Sequence, residues 1–215
     1  MTKKELATLS ISALKELYPE AKCSLIADKP YELLMATRLS AQCTDARVNI
    51  VTKDLFSKFT SLEDFANAKI DDIEDAIKSC GLYKTKARDL KNMSIDLLER
   101  FNGIVPDNIE DLITLPGIGR KTANLIVGDV YGKPSVVVDT HCIRITNRIG
   151  LVCEIDPKKI EFTLKKILPP EESGDFCHRI VLHGRALCTA RSPKCTQCPL
   201  NTFCKYGLKQ KQAVK

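Results

Sequence analysis

Two residues of this sequence are suited to covalent chemistry: Lys121, which follows a glycine-containing turn, and Asp139, which lies eighteen residues later. A neutral lysine amine can attack an electrophilic carbon and form a Schiff base, whereas the protonated form cannot. The first turn of a helix lies at the positive end of the helix dipole, which disfavours the ammonium form, and burial disfavours it further. This position therefore suits a nucleophile, although contact with phosphate is the more frequent role of a lysine near DNA. The alternative is a surface lysine that contacts phosphate.

Asp139 follows the β-branched run Ser135–Val138 and precedes a helical pattern that ends at Gly150. Aspartate is a favourable N-cap residue, so capping alone could explain its position. A carboxylate brought close to Lys121 would also stabilise positive charge that develops on a reacting group, or transfer protons for the amine. The structural and chemical roles do not exclude one another.

The segment before Lys121 predicts a helix–hairpin–helix. Pro116 cannot continue the preceding helix, and Gly117-Ile118-Gly119 turns the chain before Arg120 opens the next one. Glycines let the backbone approach a partner closely, and unpaired amides at a helix N-terminus suit a phosphate group. Such a contact reads no bases, so it would hold DNA of any sequence. The alternative is a plain pair of helices joined by a glycine turn.

Four cysteines near the C-terminus have the spacing of metal ligands. Cys188, Cys195, Cys198 and Cys204 form the pattern C-x6-C-x2-C-x5-C within seventeen residues. Four thiolates at such spacing bind either a tetrahedral zinc ion or an iron–sulfur cluster. The spacing alone favours zinc, because structural zinc sites with four cysteine ligands are common.

Charge is distributed unevenly along the 215 residues, whose formal net charge is +6. From Phe176 to Lys215 there are eight lysine or arginine residues and no acid, so the first 175 residues carry a net charge of −2. A basic segment indicates a polyanionic partner such as nucleic acid, or else a solvated tail. The N-terminal sequence MTKKELATLS is too polar for a secretory signal, and we expect a cytoplasmic, nucleoid-associated protein. The remaining six cysteines are expected to be core or near-core residues rather than disulfides.

Apolar residues recur at helical spacing along the whole chain, which predicts an all-α protein with roughly nine to eleven short helices. The run SVVVD has no partner strand and is expected to be an extended connection. Cap and first-turn residues give the predicted helix starts, which lie at Asp28, Thr44, Ser61, Asp71, Thr85, Asp107, Asp139 and Asp156.

Three stretches together carry a resemblance to a known family. LPGIGRKTAN…VDTH resembles the catalytic signature of the helix–hairpin–helix DNA glycosylases, and specifically of endonuclease III. LSAQCTD and GLYKTKA are similar to two further segments of that family, and the resemblance runs from about Glu16 to Tyr206.

The resemblance implies a reaction and its residues. In this family a damaged pyrimidine is flipped out of the duplex, a lysine attacks the anomeric carbon of its sugar, and the Schiff base undergoes β-elimination that nicks the strand. By this match Lys121 is the nucleophile and Asp139 assists departure of the base and later proton transfers. Gln42 and Leu82 would fill the gap left by the flipped base.

Further contacts are implied by the same match. The hairpin residues are expected to contact DNA, as is His141, while Ser40 and Asp45 match positions near the active site. The cysteine motif has the spacing of the family's [4Fe–4S] cluster, which reverses the preference for zinc. The loop between the first two cysteines would present Arg191 and Lys194 to the DNA backbone. The expected DNA contacts in the hairpin are Leu115, Gly117, Gly119 and Arg120.

Two helical lobes are implied, with DNA bound across the cleft between them and with Lys121 and Asp139 at its mouth. Residues 23–133 would form a six-helix lobe that holds the hairpin, while residues 1–22 and 134–215 would form a discontinuous lobe that carries the cluster. We expect a monomer. One departure is Thr37 and Arg38, which lie in a helix that is usually apolar in this family.

The resemblance favours a bifunctional glycosylase and lyase that acts on oxidised pyrimidines in double-stranded DNA. A monofunctional relative specific for adenine or for thymine mismatches typically lacks a lysine at the position of Lys121. The adenine-specific branch also carries a glutamate in the segment that matches Leu33 to Gln42, where this chain has no carboxylate. A non-catalytic, zinc-stabilised DNA-binding module would leave the pairing of Lys121 with Asp139 unexplained.

Overall fold

The structure is a computed structural model that describes residues 1–213, with side chains described as far as residue 210. No β-strand occurs in this range, which confirms the all-α prediction. The α-helices are α1 (Lys3–Leu17), α2 (Pro30–Leu39), α3 (Asp45–Lys58), α4 (Leu62–Asn67), α5 (Ile70–Ile77), α6 (Tyr83–Phe101), α7 (Ile109–Leu112), α8 (Arg120–Asp129), α9 (Thr140–Ile149), α10 (Pro157–Ile167), α11 (Ser173–Ala186) and α12 (Lys205–Ala213). Short 3₁₀ segments lie at Lys78–Cys80, Pro170–Glu172, Cys195–Gln197 and Pro199–Thr202.

The described range therefore holds twelve α-helices, one more than the upper end of the prediction. The C-terminal helix α12 is mostly polar, so apolar periodicity gave no signal for it. The run Ser135–Val138 is an extended connection that belongs to no helix or strand, as predicted, and Ser135, Val136 and Val138 are buried.

Four of the eight predicted helix starts carry the expected side-chain cap. The hydroxyl of Thr44 accepts from the Arg47 amide at 3.3 Å, and Ser61, Asp139 and Asp156 cap their helices in the same way. These oxygens satisfy amide groups that have no partner inside the helix.

The other four predicted starts are wrong, and they differ from the observed cap residues by one to three residues. Asn108, and not Asp107, caps α7, because its side-chain oxygen accepts from the Asp111 amide at 2.8 Å. The cap residues of α2, α5 and α6 are Lys29, Lys69 and Leu82, and none of them makes a side-chain cap hydrogen bond. Asp28 lies before α2, where its amide donates to Glu32 at 3.0 Å, while Asp71 and Thr85 lie inside the first turns of α5 and α6.

The chain divides into two compact units, and each has its own core. The first, called here the hairpin unit, is the continuous segment Cys23–Tyr131. Its core is built by α2 to α8 around buried residues that include Leu34, Leu55, Phe65 and Leu90. Burial of such side chains contributes roughly 1.5–3 kcal/mol each, so this apolar face fixes where the hairpin lies.

The second unit, called here the cysteine unit, combines Met1–Lys22 with the described residues from Gly132 onward. Its core includes Leu14 of α1, Ile145 of α9, Ile160 of α10 and Phe176 of α11. α1 packs against both α10 and α11, so its apolar face is buried by helices that lie more than 130 residues later in the chain.

The six scattered cysteines do not all lie in the cores. Cys80, Cys142 and Cys177 are buried and Cys23 and Cys43 are half-buried, but Cys153 is exposed, so its assignment to the core was wrong. Among the described helices, none is long and apolar enough to cross a bilayer.

Candidate active site and cysteine cluster

The hairpin turn between α7 and α8 is held by two buried anchors. Leu115 is only 2% exposed and Ile118 is buried, whereas Gly117 and Gly119 are exposed. The side chain of Leu115 is therefore part of the core, and only its main chain could contact a ligand. Gly117 has φ +72°, a conformation that favours glycine, while Gly119 has ordinary extended backbone with φ −101° and ψ 172°.

A salt bridge lies directly against this turn. Arg38 of α2 donates from Nε and Nη2 to Oδ2 of Asp89 in α6, at 2.7 and 2.6 Å. A Cβ atom at Gly117 would meet Arg38 Cδ at 2.6 Å and Asp89 Oδ2 at 2.7 Å. The unusual arginine of α2 is thus paired, and Thr37 beside it donates to the Leu34 carbonyl at 2.7 Å. Both polar side chains are accommodated in the helix.

Lys121 lies in the first turn of α8, as predicted, and its side chain is exposed. The helix begins at Gly119 without a side-chain cap. The amides of a first helical turn have no partner within the helix, and they lie at the positive end of its dipole. The start of α8 can therefore bind an anion next to the accessible amine of Lys121.

Asp139 is held by the helix that it caps. Its Oδ1 accepts from the Cys142 amide at 2.7 Å, which fixes the carboxylate at the start of α9. Cys142 is buried and lies within hydrogen-bond distance of Cys177 in α11; that contact, together with burial, raises the pKa of Cys142 well above its usual value. In the first turn of α9, which Asp139 caps, His141 Nδ1 lies 3.1 Å from Arg144 Nη2. The first turn of α9 is thus tied to the core of the cysteine unit.

Gln42 and Leu82 share an uncommon backbone conformation. Gln42 has φ 56° and Leu82 has φ 49°, both in the left-handed region that non-glycine residues rarely adopt. Both side chains are exposed, and Leu82 retains 58% of its accessible surface despite being apolar. An isolated apolar side chain on an outward loop is available to insert into a partner.

Sequence reasoning overlooked Lys86. Its side chain is fully buried, and its ammonium group donates to the carbonyl oxygens of Leu39 at 2.7 Å and Cys80 at 2.8 Å. The sequence did indicate a buried lysine, because Lys86 lies four residues before Leu90 on the apolar face of α6. A lysine on such a face must have internal partners.

Ser40 and Asp45 are engaged in local hydrogen bonds. The Ser40 hydroxyl donates to the Thr37 carbonyl at 2.9 Å, and Asp45 Oδ2 accepts from the Ser24 hydroxyl at 2.6 Å. These bonds fasten the two ends of the segment that holds Gln42.

The four cysteines of the motif line a single cavity of about 370 Å³, including the part open to solvent. Burial first, and then the neighbouring Cys188, Cys204 and Cys195, raise the pKa of the Cys198 thiol to about 11. Four thiolates so placed require a cationic group among them. Within the described residues, no three His, Cys, Asp or Glu side chains lie close enough to share one metal ion. Four cysteines that line one cavity are the donor set of an iron–sulfur cluster or of a structural zinc ion.

Two side chains overlooked in the sequence surround the cysteines. Arg148 of α9 donates to the Thr189 carbonyl at 2.7 Å and the Ala190 carbonyl at 2.8 Å, and its Nη1 lies 3.3 Å from Cys188 Sγ. Its guanidinium group also stacks on the Tyr206 ring at 4.7 Å. One arginine therefore joins α9, the loop after Cys188 and α12.

The second overlooked side chain is His183 of α11. Burial lowers its pKa to about 4, so the imidazole is neutral at physiological pH. Nε2 lies 3.6 Å from Cys198 Sγ, and Nδ1 lies 3.4 Å from the Tyr18 hydroxyl. In the loop between the first two cysteines, by contrast, Arg191 and Lys194 are exposed and can reach an external anion.

Comparison with known proteins identifies two families. Residues 35–170 match the HhH-GPD superfamily of base excision DNA repair proteins, and residues 188–204 match the iron–sulfur binding domain of endonuclease III. The chain is 40% identical to endonuclease III of Bacillus subtilis over 93% of its own length and 92% of that protein. It is 43% identical to endonuclease III of Synechocystis over 94% of its length and 93% of that protein.

The fold also matches solved structures. A trapped covalent intermediate of an endonuclease III with DNA superposes with a TM-score of 0.91 at 40% identity, covering 98% of this chain and 99% of that one. A thermostable thymine-DNA glycosylase at 23% identity superposes with a TM-score of 0.87, covering 95% of this chain and 98% of that one, which shows a shared fold alone.

Proposed function

Because the chain belongs to the endonuclease III family of base-excision DNA glycosylases, we propose that Lys121 is its nucleophile and Asp139 its assisting carboxylate. The substrates in this proposal are oxidised pyrimidines in double-stranded DNA. The observation that carries it is an exposed lysine in the first turn of a helix that begins at the hairpin without a side-chain cap.

In this proposal the hairpin binds the DNA backbone. A phosphate placed at the start of α8 receives amide hydrogen bonds at the positive end of a helix, and Gly119, at which a Cβ would meet no atom within 4 Å, leaves room for it. Because this contact ignores base identity, it suits an enzyme that must search all sequences. Arg120 follows immediately and adds positive charge.

In the first chemical step, the Lys121 amine forms a bond to C1′ of the flipped nucleotide as the bond from C1′ to the base breaks, and the base leaves with the bonding electron pair and takes up a proton from solvent. The amine attacks in its neutral form. The Asp139 carboxylate stabilises positive charge on the sugar and accepts the proton that the amine releases. Its cap bond to Cys142 holds one oxygen in place.

The covalent intermediate then becomes a Schiff base between Lys121 and the opened sugar. Loss of a proton from C2′ and departure of the 3′ phosphate complete β-elimination and cut the strand. Hydrolysis of the Schiff base returns the free lysine. Asp139 is the candidate proton carrier for these steps.

Gln42 and Leu82 fill the space that the flipped base leaves. Base flipping costs a few kcal/mol of stacking, and inserted side chains offset part of that cost. An exposed apolar side chain at Leu82 and a polar one at Gln42 provide contacts of both kinds.

The protein carries a [4Fe–4S] cluster as its cofactor. Cys188, Cys195, Cys198 and Cys204 would hold it, and when bound it neutralises the thiolates and cross-links the basic C-terminal segment. Arg191 and Lys194 then contact DNA phosphates from the loop between Cys188 and Cys195. His141 is a further candidate contact. The protein acts as a monomer in the cytoplasm, associated with the nucleoid; sedimentation at working concentration tests the oligomeric state.

Borohydride trapping on a duplex that contains one ring-oxidised pyrimidine tests the mechanism. Wild-type protein should give a covalent adduct, and Lys121→Ala should give none while still binding the duplex. Lys53→Ala, which removes an exposed lysine from α3, is the matched control and should trap like the wild type. If folded, DNA-binding wild-type protein gives no adduct, the lyase mechanism is wrong.

A further inference from the structure

We propose that Lys86 is a positioning residue that fixes the two loops carrying Gln42 and Leu82 to each other. Its one ammonium group donates to Leu39 at the end of α2 and to Cys80 at the end of the segment Lys78–Cys80. The inference rests on the proposed roles of Gln42 and Leu82 in filling the space of a flipped base. In this proposal Lys86 acts through Gln42 and Leu82 and does not itself contact DNA.

The placement of the two acceptors is what gives Lys86 this role. Leu39 precedes Gln42 by three residues, and Cys80 precedes Leu82 by two. Each loop therefore begins at a carbonyl held by the same nitrogen, at 2.7 Å on one side and 2.8 Å on the other. A displacement of either loop must lengthen one of these bonds.

An ammonium group is well suited to this position. Both acceptors lie at the C-terminal ends of helical segments, where carbonyl groups lack partners within the helix and the dipole is negative. Lys86 is completely buried, which lowers its pKa from the usual value. Burial of a charge is costly unless hydrogen bonds compensate it, so the two carbonyls and the ammonium group stabilise each other.

The backbone of both loops requires such support. Among the described residues, three non-glycine residues have positive φ: Gln42, Leu82 and Asn102. Asn102 ends α6, a common place for asparagine, but glutamine and leucine are unusual in this conformation. Left-handed residues of this kind persist only where their surroundings hold them. Two of the three, Gln42 and Leu82, lie within three residues of a carbonyl that accepts from Lys86.

A second contact joins the same loops. The thiol of Cys43, next to Gln42, lies within hydrogen-bond distance of the thiol of Cys80. Burial and this neighbour raise the pKa of Cys80 to about 11, so it remains a neutral thiol. The loops are thus linked from both sides, and the stronger link is the charge-assisted one through Lys86.

The test measures insertion into DNA separately from binding and stability. The probe is a duplex with a tetrahydrofuran abasic analogue opposite 2-aminopurine, whose fluorescence rises when its stacking is broken. Lys86→Met keeps the length of the side chain and removes both hydrogen bonds. Lys91→Met is the matched control, because Lys91 of the same helix donates to the end of α4, at the Ala68 carbonyl, 2.6 Å away.

At saturating protein, we expect the fluorescence rise with Lys86→Met to be smaller by on the order of tenfold, since slight misplacement of positioned groups can cost up to about a hundredfold. Lys91→Met should stay within about twofold of wild type. In a Gln42→Ala/Leu82→Ala background, Lys86→Met should change nothing further, because its effect passes through those residues.

The proposal is overturned if Lys86→Met resembles Lys91→Met, or if its effect is undiminished in the Gln42→Ala/Leu82→Ala background. Thermal unfolding checks that each variant is folded; should Lys86→Met not fold, Lys86→Gln takes its place. If neither folds, Lys86 serves the fold as a whole and the positioning role is wrong. Failure of the proposed function would look different, since the wild type would then give no borohydride adduct or no fluorescence rise.

Discussion

Arg38 and Asp89 form a salt bridge against the hairpin glycine, with side chains only 13% and 19% exposed. The pair joins α2 to α6, and its guanidinium group occupies the space that a side chain at Gly117 would need. An arginine in a helix that is usually apolar in the family thus acquires a structural role beneath the turn that is proposed to hold phosphate.

Replacement of Arg38 by leucine should destabilise the hairpin unit. The change leaves the Asp89 carboxylate without its two hydrogen bonds, and bonds to charged groups contribute about 1.5–3 kcal/mol. Chemical denaturation of Arg38→Leu should show a loss of that order. The double variant Arg38→Leu/Asp89→Leu should recover most of it, since removal of both partners leaves no unpaired charge. Equal losses in the two variants would contradict this account.

The two glycines of the hairpin should respond differently to alanine. Gly117→Ala forces a left-handed residue, at about 1–2 kcal/mol, and its Cβ clashes with the Arg38–Asp89 pair. Both thermal stability and duplex binding should fall. Gly119→Ala meets no atom within 4 Å and keeps an ordinary φ, so it should lose less than about 1 kcal/mol while still weakening DNA binding. Unchanged binding of Gly119→Ala, measured by fluorescence anisotropy, would argue against the phosphate site.

Cys195→Ser should abolish stable cluster binding. Purified wild-type protein should contain about four irons and four sulfides per chain, with the broad visible absorption of a cluster. The Cys195→Ser variant should lose most of its iron and sulfide and most of the visible absorption. Cys153→Ser, which changes the exposed cysteine of the same unit, should retain them. Stoichiometric zinc with no visible absorption in the wild type would overturn the cluster assignment.

Arg148→Lys should leave the cluster more exposed to oxygen. Lysine keeps the charge but cannot reproduce the forked contacts with the Thr189 and Ala190 carbonyls or the stacking on Tyr206. The rate at which visible absorption is lost in air should rise by about tenfold, the lower end of the effect of removing contacts around metal ligands. Arg100→Lys, a surface substitution in the hairpin unit, should bleach at the wild-type rate.

Part of the free energy of unfolding should depend on pH because of Glu172. Hydrogen bonds from Lys15 at 2.8 Å and from Arg179 at 3.1 Å hold its pKa below the usual value. The stabilisation is present above the unfolded pKa of about 4.3 and is lost as pH falls through the lowered folded value. Glu172→Gln should lose about 1 kcal/mol at neutral pH and show a flatter melting profile between about pH 5 and pH 3. Glu171→Gln, which removes the neighbouring exposed carboxylate, should follow the wild-type profile.

Local signals in the sequence were sufficient for the helical class and for half of the helix starts. Thr44, Ser61, Asp139 and Asp156 could be recognised because each precedes an apolar helical pattern and carries a short oxygen side chain. The same rule chose Asp107 over its neighbour Asn108, since both residues can cap. Capping preferences cannot decide between adjacent candidates; the packing of α7 on the core does.

Contacts between residues distant in sequence could not be predicted. Nothing near Arg38 indicates Asp89, which lies fifty-one residues further along the chain, and nothing near Lys86 indicates the Leu39 carbonyl. The exposure of Lys121 and the burial of Leu115 also depend on how the hairpin packs. Family resemblance indicates roles for such residues, while their surroundings follow only from the assembled fold.

The discontinuity of the cysteine unit has a consequence for biosynthesis. The hairpin unit is continuous and complete once Tyr131 has left the ribosome, whereas α1 must wait for α10 and α11 before it can bury its apolar face. Domains generally fold as units in the order in which they are synthesised. The hairpin therefore matures first, and because the four cysteines follow the hairpin unit in the chain, the iron cofactor can be loaded only after that unit has been synthesised.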